Sequence, residues 1–238
     1  MFSTELSVLI PTAVTIAFLH TILGPDHYVP FIAMARARKW SMMKTIWTTF
    51  FAGIGHIVGS VALGMVGIVF GLAIKELNVF ESFQGNLAAW SLIIFGLIYF
   101  AWGMKKALRN KPHKHKHIHQ NGIIHAHEHI HQKDHLHVHD SQEKKDITPW
   151  VLFAIFIFGP CEALIPIFMY TALNNTIFNL VIVTIVFGIV TIGTMIGTVV
   201  ASSFGINFIP VTRFEKYTHA ITGVIISFLG MGILLLGF

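Results

Sequence analysis

The chain has 238 residues, of which 54% are hydrophobic and only 11% charged, with a mean hydropathy of +0.70. A soluble domain carries roughly 25% charged residues, so a water-covered globule is excluded and most of the surface must face lipid. The net charge of +5 lies mostly between the apolar segments, where it sets orientation in the bilayer rather than forming a nucleic-acid surface.

In chain order the apolar segments are Leu6–Met34, Thr45–Ile74, Leu87–Met104, Pro149–Leu173, Ile177–Phe204 and His219–Phe238. Each reaches about the 18–20 residues that cross ~30 Å of hydrocarbon as a helix, and the longest imply a tilt or a break. The pattern predicts an all-α membrane protein with six transmembrane helices. The first segment is read as a span and not as a cleavable signal, because its start carries Glu5 instead of a basic region and it continues to Met34.

Arg36, Arg38, Lys39 and Lys44 fill the first connection, nine Lys/Arg against five acids fill the third, and Arg213 and Lys216 face Glu215 in the fifth. The second carries Lys75 with Glu76 and Glu81, and the fourth, around Asn174-Asn175-Thr176, carries no charge. Basic residues collect on the cytoplasmic side, so the odd connections are expected inside an inner cell membrane and both termini outside. The expected organisation is a first three-helix repeat over 1–104, a cytoplasmic His-rich disordered loop over 105–147, and a second three-helix repeat over 148–238.

Two intramembrane motifs carry the chemistry: His20-Thr-Ile-Leu-Gly-Pro-Asp26-His27 in the first segment and Gly-Ile-Gly-His56 in the second. Ionisable groups in a bilayer are costly and mark functional sites by default. Imidazoles and a carboxylate suit a borderline divalent cation, so His20, Asp26, His27 and His56 are candidate metal ligands. In a straight helix His20 and His27 would stand ~10.5 Å apart along the axis, too far to share one ion at bonds of ~2.1 Å. Pro25 removes an N–H and clashes with the preceding turn, so a break there can fold His27 back towards His20. Taken singly, each of these residues is as readily a cap, a packing group or an interhelical hydrogen-bond donor.

The fourth segment repeats part of this pattern. Gly24-Pro25-Asp26-His27-Tyr28-Val29-Pro30 is echoed by Gly159-Pro160-Cys161-Glu162-Ala163-Leu164-Ile165-Pro166, and Gly55-x3-Gly59 by Gly193-x3-Gly197. The latter spacing predicts close helix approach, and the first and fourth spans run in opposite directions, as in transporters built from inverted three-plus-three repeats with broken helices. Glu162 is a candidate for a carboxylate that orients a metal ligand, couples a proton or gates the site, or equally an N-cap. Cys161, the only cysteine, excludes an internal disulfide and is a candidate soft ligand or a small apolar filler.

The third connection is low-complexity. His113, His115, His117, His119, His125, His127, His129, His131, His135, His137 and His139 recur at alternate positions, broken by Lys, Ile and Glu. Such tracts bind divalent metals through neutral imidazoles, so a metal buffer or sensor is expected here.

His-x5-Asp-His with Gly-Pro before the Asp, then Gly-Ile-Gly-His on the next span, resembles the nickel/cobalt permease superfamily, in particular its compact six-span urease-accessory branch. The His-rich loop resembles that of nickel/cobalt efflux proteins of the same superfamily. The resemblance is specific over residues 20–60 and implies ligation by His20, Asp26, His27 and His56. It implies a non-enzymatic permease for Ni²⁺ or Co²⁺, with Zn²⁺ as a further substrate, no resident cofactor, and a cytosolic metallochaperone as partner. Two other readings stay open. Pro160-Cys161 followed by Pro166 resembles the thiol–disulfide electron carriers of cytochrome biogenesis, although such relays pass electrons between two cysteines. An anion exporter of the sulfite-exporter type would need positive charge within the spans, where no Lys or Arg occurs.

Overall fold

The computed structural model describes residues 4–70, 74–109, 113–118, 124–129, 146–159, 161–206 and 216–236. Among the described residues, five helices are long and apolar enough to cross a membrane, and two shorter apolar helices accompany them. The protein is therefore an all-α, multi-pass integral membrane protein. Large apolar side chains such as Trp47, Phe51, Ile94, Ile98 and Phe228 stand outward, as a lipid solvent allows.

The first apolar segment folds as α1 (Thr4–Leu23), a single 3-10 turn over Pro25–His27, and α2 (Val29–Arg38). Gly24 is extended at φ −87°, ψ 96°, because Pro25 disfavours the α conformation for the residue before it. The fourth segment divides in the same way into α5 (Thr148–Phe158) and α6 (Leu164–Asn174), and Gly159 is again extended at φ −84°, ψ 105°. The unbroken helices are α3 (Met42–Val69), α4 (Ile74–Arg109), α7 (Ile177–Ile206) and α8 (Thr218–Leu236). Helix α4 extends beyond the apolar stretch at both ends, since nothing in its polar flanks breaks a helix.

Helix α3 packs on α5 and α6 as α7 packs on α1 and α2, while α3 meets α7 and α4 meets α8. Phe31, Met34, Leu152, Phe156, Met195, Val199 and Ile226 form one core between the halves. A second core joins Leu6, Ala13 and Ala17 to Leu164, Val183 and Phe187. The glycine expectation divides. A Cβ on Gly55 would meet the Phe153 ring at 3.0 Å and one on Gly59 would run into the Ile157 carbonyl, but a Cβ on Gly193 or Gly197 would meet no described atom within 4 Å. Gly193-x3-Gly197 is thus not a helix contact among the described residues. Backbone contact occurs instead between α4 and α8, through Gly96 and Gly103 against Gly223 and the turn at His219–Ala220.

Asp146 ties the entry of α5 to the start of α3. Its carboxylate accepts from Trp40 Nε1 at 2.7 Å, Lys44 Nζ at 2.9 Å and the Thr148 backbone N–H at 3.2 Å. Partial burial pushes the carboxyl up, but the bonds from Lys44, Thr148 and Trp40 outweigh it and hold the group well below the usual carboxylate range. A depressed folded-state value stabilises the fold above the unfolded carboxylate value of ~3.9, and this contribution is lost as pH falls through the lower folded value. Asp146→Asn is expected to cost about 1–2 kcal/mol at neutral pH, and the gap between the two melting curves in detergent should close on acidification below about pH 4.

In the connection expected to be disordered, His113–Ile118 (β1) pairs antiparallel with Ile124–His129 (β2). The physical reason was present in the sequence: the alternation has the period of a strand, and Asn121-Gly122 is a hairpin signal between the two runs. His119, His131, His135, His137 and His139 lie outside the described residues.

Candidate functional site

The break after α1 brings two of the predicted residues together. His20 closes the last turn of α1, His27 ends the 3-10 turn, and their ring centroids are 4.8 Å apart at 83°. His56, in the middle of α3, places its ring 5.0 Å from that of His27 at 89°. One nitrogen from each of His20, His27 and His56 lies within 4.8 Å of the others. Tetrahedral coordination at ~2.1 Å needs nitrogens about 3.4 Å apart, so the rings would draw in by roughly one ångström around an ion.

Hydrogen bonds at the far side of two rings determine what the near side offers. His27 Nδ1 lies 3.1 Å from both the Gly24 carbonyl and Asp26 Oδ1, and His56 Nδ1 lies 2.7 Å from the Gly159 carbonyl. A carbonyl can only accept, so each Nδ1 carries the proton and each neutral ring keeps its lone pair on Nε2. The Nε2 atoms of His20, His27 and His56 are all buried without a hydrogen-bond partner. Buried polar atoms are rarely left unpaired; one on each of three clustered rings, two of them in the tautomer that leaves Nε2 its lone pair, fits a metal ion of borderline softness.

Asp26 stands outside the converging set. Its carboxylate holds the back of His27, the outer-shell position that orients a ligand, and it also lines a cavity of about 60 Å³ with His56, Gly85, Gly159 and Glu162. Glu162 therefore shares a cavity wall with Asp26 and is not part of the three-ring cluster. Its neighbour Cys161 is fully buried with Ala17 and Leu164, and its backbone N–H donates to Ser60 Oγ, whose hydroxyl donates to the His56 carbonyl at 3.0 Å. The contact from His56 to the Gly159 carbonyl joins the second break to the first. Sequence reasoning missed it, because it depends on the packing of α3 against α5.

The fourth histidine outside the loop, His219, is remote in role. It bonds Tyr99 Oη at 2.8 Å and Lys106 Nζ at 3.1 Å, bracing α8 on α4.

Residues 29–232 match the family model described as the cytochrome c biogenesis protein transmembrane region. Neither a curated protein nor a solved structure matches the chain. The family match overturns the assignment to the nickel/cobalt permease superfamily and its urease-accessory branch, and with it the reading as a nickel/cobalt permease. That assignment rested on a short donor motif, which unrelated carriers can build wherever imidazoles must meet in lipid, whereas the family match extends over most of the membrane region. It supports a membrane thiol–disulfide carrier over a nickel/cobalt transporter.

Proposed function

This chain belongs to the family of cytochrome c biogenesis protein transmembrane regions, and from that membership we propose that it is a membrane thiol–disulfide electron carrier whose working sulfur is Cys161. The family match carries this reading, and the placement of Cys161 within the second helix break, between α5 and α6, supports it. With a single thiol, both disulfide partners must come from other molecules. The Cys161 thiolate attacks an acceptor disulfide, forming a mixed disulfide and releasing one acceptor thiolate. A donor thiolate then attacks Cys161 Sγ, which frees the second acceptor thiolate. The second donor thiolate displaces Cys161, so two electrons pass from donor dithiol to acceptor disulfide and the protein returns unchanged. No substrate is converted beyond this exchange.

Cys161 is buried, so the cycle requires the halves to part at the two breaks. The matched packing of α3 on α5 and α6 and of α7 on α1 and α2 supports an inverted three-plus-three repeat of six spans, with α1–α2 and α5–α6 as the broken members. The basic odd connections support an inner-membrane orientation with both termini outside and the His-rich loop in the cytoplasm.

A second reading rests on the three unpartnered Nε2 atoms: His20, His27 and His56 bind a divalent transition-metal ion, with Asp26 orienting His27. Bound there, an ion would supply a positive charge that polarises whatever shares the adjoining cavity. The residues fix tautomers, exclude water and set the opening beside Asp26 and Glu162.

One experiment separates the readings. Purified wild-type chain, Cys161→Ser and His20→Ala/His27→Ala are reconstituted in vesicles, given a dithiol donor and a disulfide acceptor, and quenched with an alkylating agent. The thiol reading expects a trapped mixed disulfide and exchange in wild type and in the double-histidine variant, both abolished in Cys161→Ser. Exchange that survives Cys161→Ser overturns it. Zn²⁺ binding by wild type that the double-histidine variant lacks supports the second reading, and equal binding by both overturns it.

A further inference from the structure

One turn of α3 grips the second break at two points. His56 Nδ1 donates to the Gly159 carbonyl at 2.7 Å, and four residues further on Ser60 Oγ accepts the backbone N–H of Cys161. Residues four apart share a helix face, so the two bonds hold both ends of the short stretch that carries the thiol between α5 and α6. The approach is close here: a Cβ on Gly59 would run into the Ile157 carbonyl. Cys161 is 0% exposed, and His56 only 5%. Gly159 and Glu162 also line the cavity of about 60 Å³ shared with Asp26 and His56, so the break has space to move into once the grip is released.

His56 joins this grip to the three-ring cluster. Its Nδ1 holds the second break, while its Nε2 is buried without a partner beside the ring of His27. An ion on Nε2 draws electron density from the whole ring, which makes Nδ1–H a stronger donor and fixes the ring in its orientation. We propose that a divalent transition-metal ion on His20, His27 and His56 locks the second break against α3, so that Cys161 comes within reach of a partner only when the ion has left. The inference rests on the thiol reading and the metal reading together and gives the ion a regulatory role over the sulfur. The sulfur itself is not a ligand: the three nitrogens come from the first break and α3, and Cys161 packs in a different cluster, with Ala17 and Leu164.

The test labels the full-length chain in lipid vesicles with N-ethylmaleimide, in excess chelator and across a Zn²⁺ titration. Cys161 is the only cysteine, so the label reports that position alone. A hydrogen bond from a charged donor exceeds a neutral one by about tenfold in its equilibrium constant, and Zn²⁺ is expected to slow labelling of wild type by about that factor. His20→Gln removes a ligand that takes part in neither bond to the break, and it should need at least about tenfold more Zn²⁺ for the same protection. Co²⁺ in place of Zn²⁺ should show no sulfur-to-metal charge-transfer absorption. Labelling that Zn²⁺ leaves unchanged, protection of His20→Gln at the wild-type Zn²⁺ level, or a sulfur band with Co²⁺ would each overturn the lock. Labelling reads access to the sulfur and not electron transfer, which separates the failures. A chain that exchanges thiols but labels equally with and without Zn²⁺ loses the lock alone, and one that Zn²⁺ protects but that exchanges nothing keeps the lock and loses the thiol reading.

Discussion

Replacing His27 with alanine is expected to abolish Zn²⁺ binding by the membrane centre, a loss of about 100-fold or more in affinity. His27 is 4.8 Å from His20 and 5.0 Å from His56, ring to ring, so without it only two of the three imidazole ligands remain. Asp26→Asn should fall between this variant and wild type, because it weakens the grip on His27 Nδ1 and leaves the three rings in place. Binding in all of them should decline on acidification, since a protonated imidazole cannot ligate. Equilibrium dialysis on a chain lacking residues 113–139 isolates this centre from the loop. Affinity for Zn²⁺ unchanged by His27→Ala would rule out the three-imidazole centre while leaving the thiol reading intact.

The largest loss of stability is expected for Gly223→Leu. A Cβ at this position runs into the backbone of α4, with the Gly96 carbonyl at 2.6 Å and Phe100 Cα at 2.7 Å. Backbone cannot turn aside as a side-chain tip can, so α8 must leave α4, at a cost of about 3 kcal/mol or more. Gly193→Ala supplies the contrast, because its Cβ meets nothing described within 4 Å. Alanine in a helix interior is favoured over glycine by about 0.5–1 kcal/mol, so this variant should melt at or slightly above wild type. Thermal unfolding in detergent, followed by helical circular dichroism, distinguishes the two, and equal melting points would show that α4 and α8 tolerate separation.

The glycines illustrate where sequence reading fails. Gly193-x3-Gly197 fits the close-approach spacing and has no described neighbour, while the contacts of Gly96, Gly103 and Gly223 fit no short motif. A glycine reveals that a helix can approach another, but the partner face is set by packing elsewhere in the bundle. The hairpin is the converse case. Alternation and Asn121-Gly122 encode it locally, but the alternating histidines suggested a disordered metal-binding tract instead of the period of a strand.

Membrane character and the two helix breaks follow from the sequence, because hydropathy and proline stereochemistry act over a few residues each. The family does not follow from the motif, since a donor set describes chemistry rather than ancestry. Only the tertiary structure joins α3 to the first break and seats His56 on the Gly159 carbonyl. Those contacts link residues as far as 103 positions apart. They depend on how long helices pack in lipid, which no local pattern specifies.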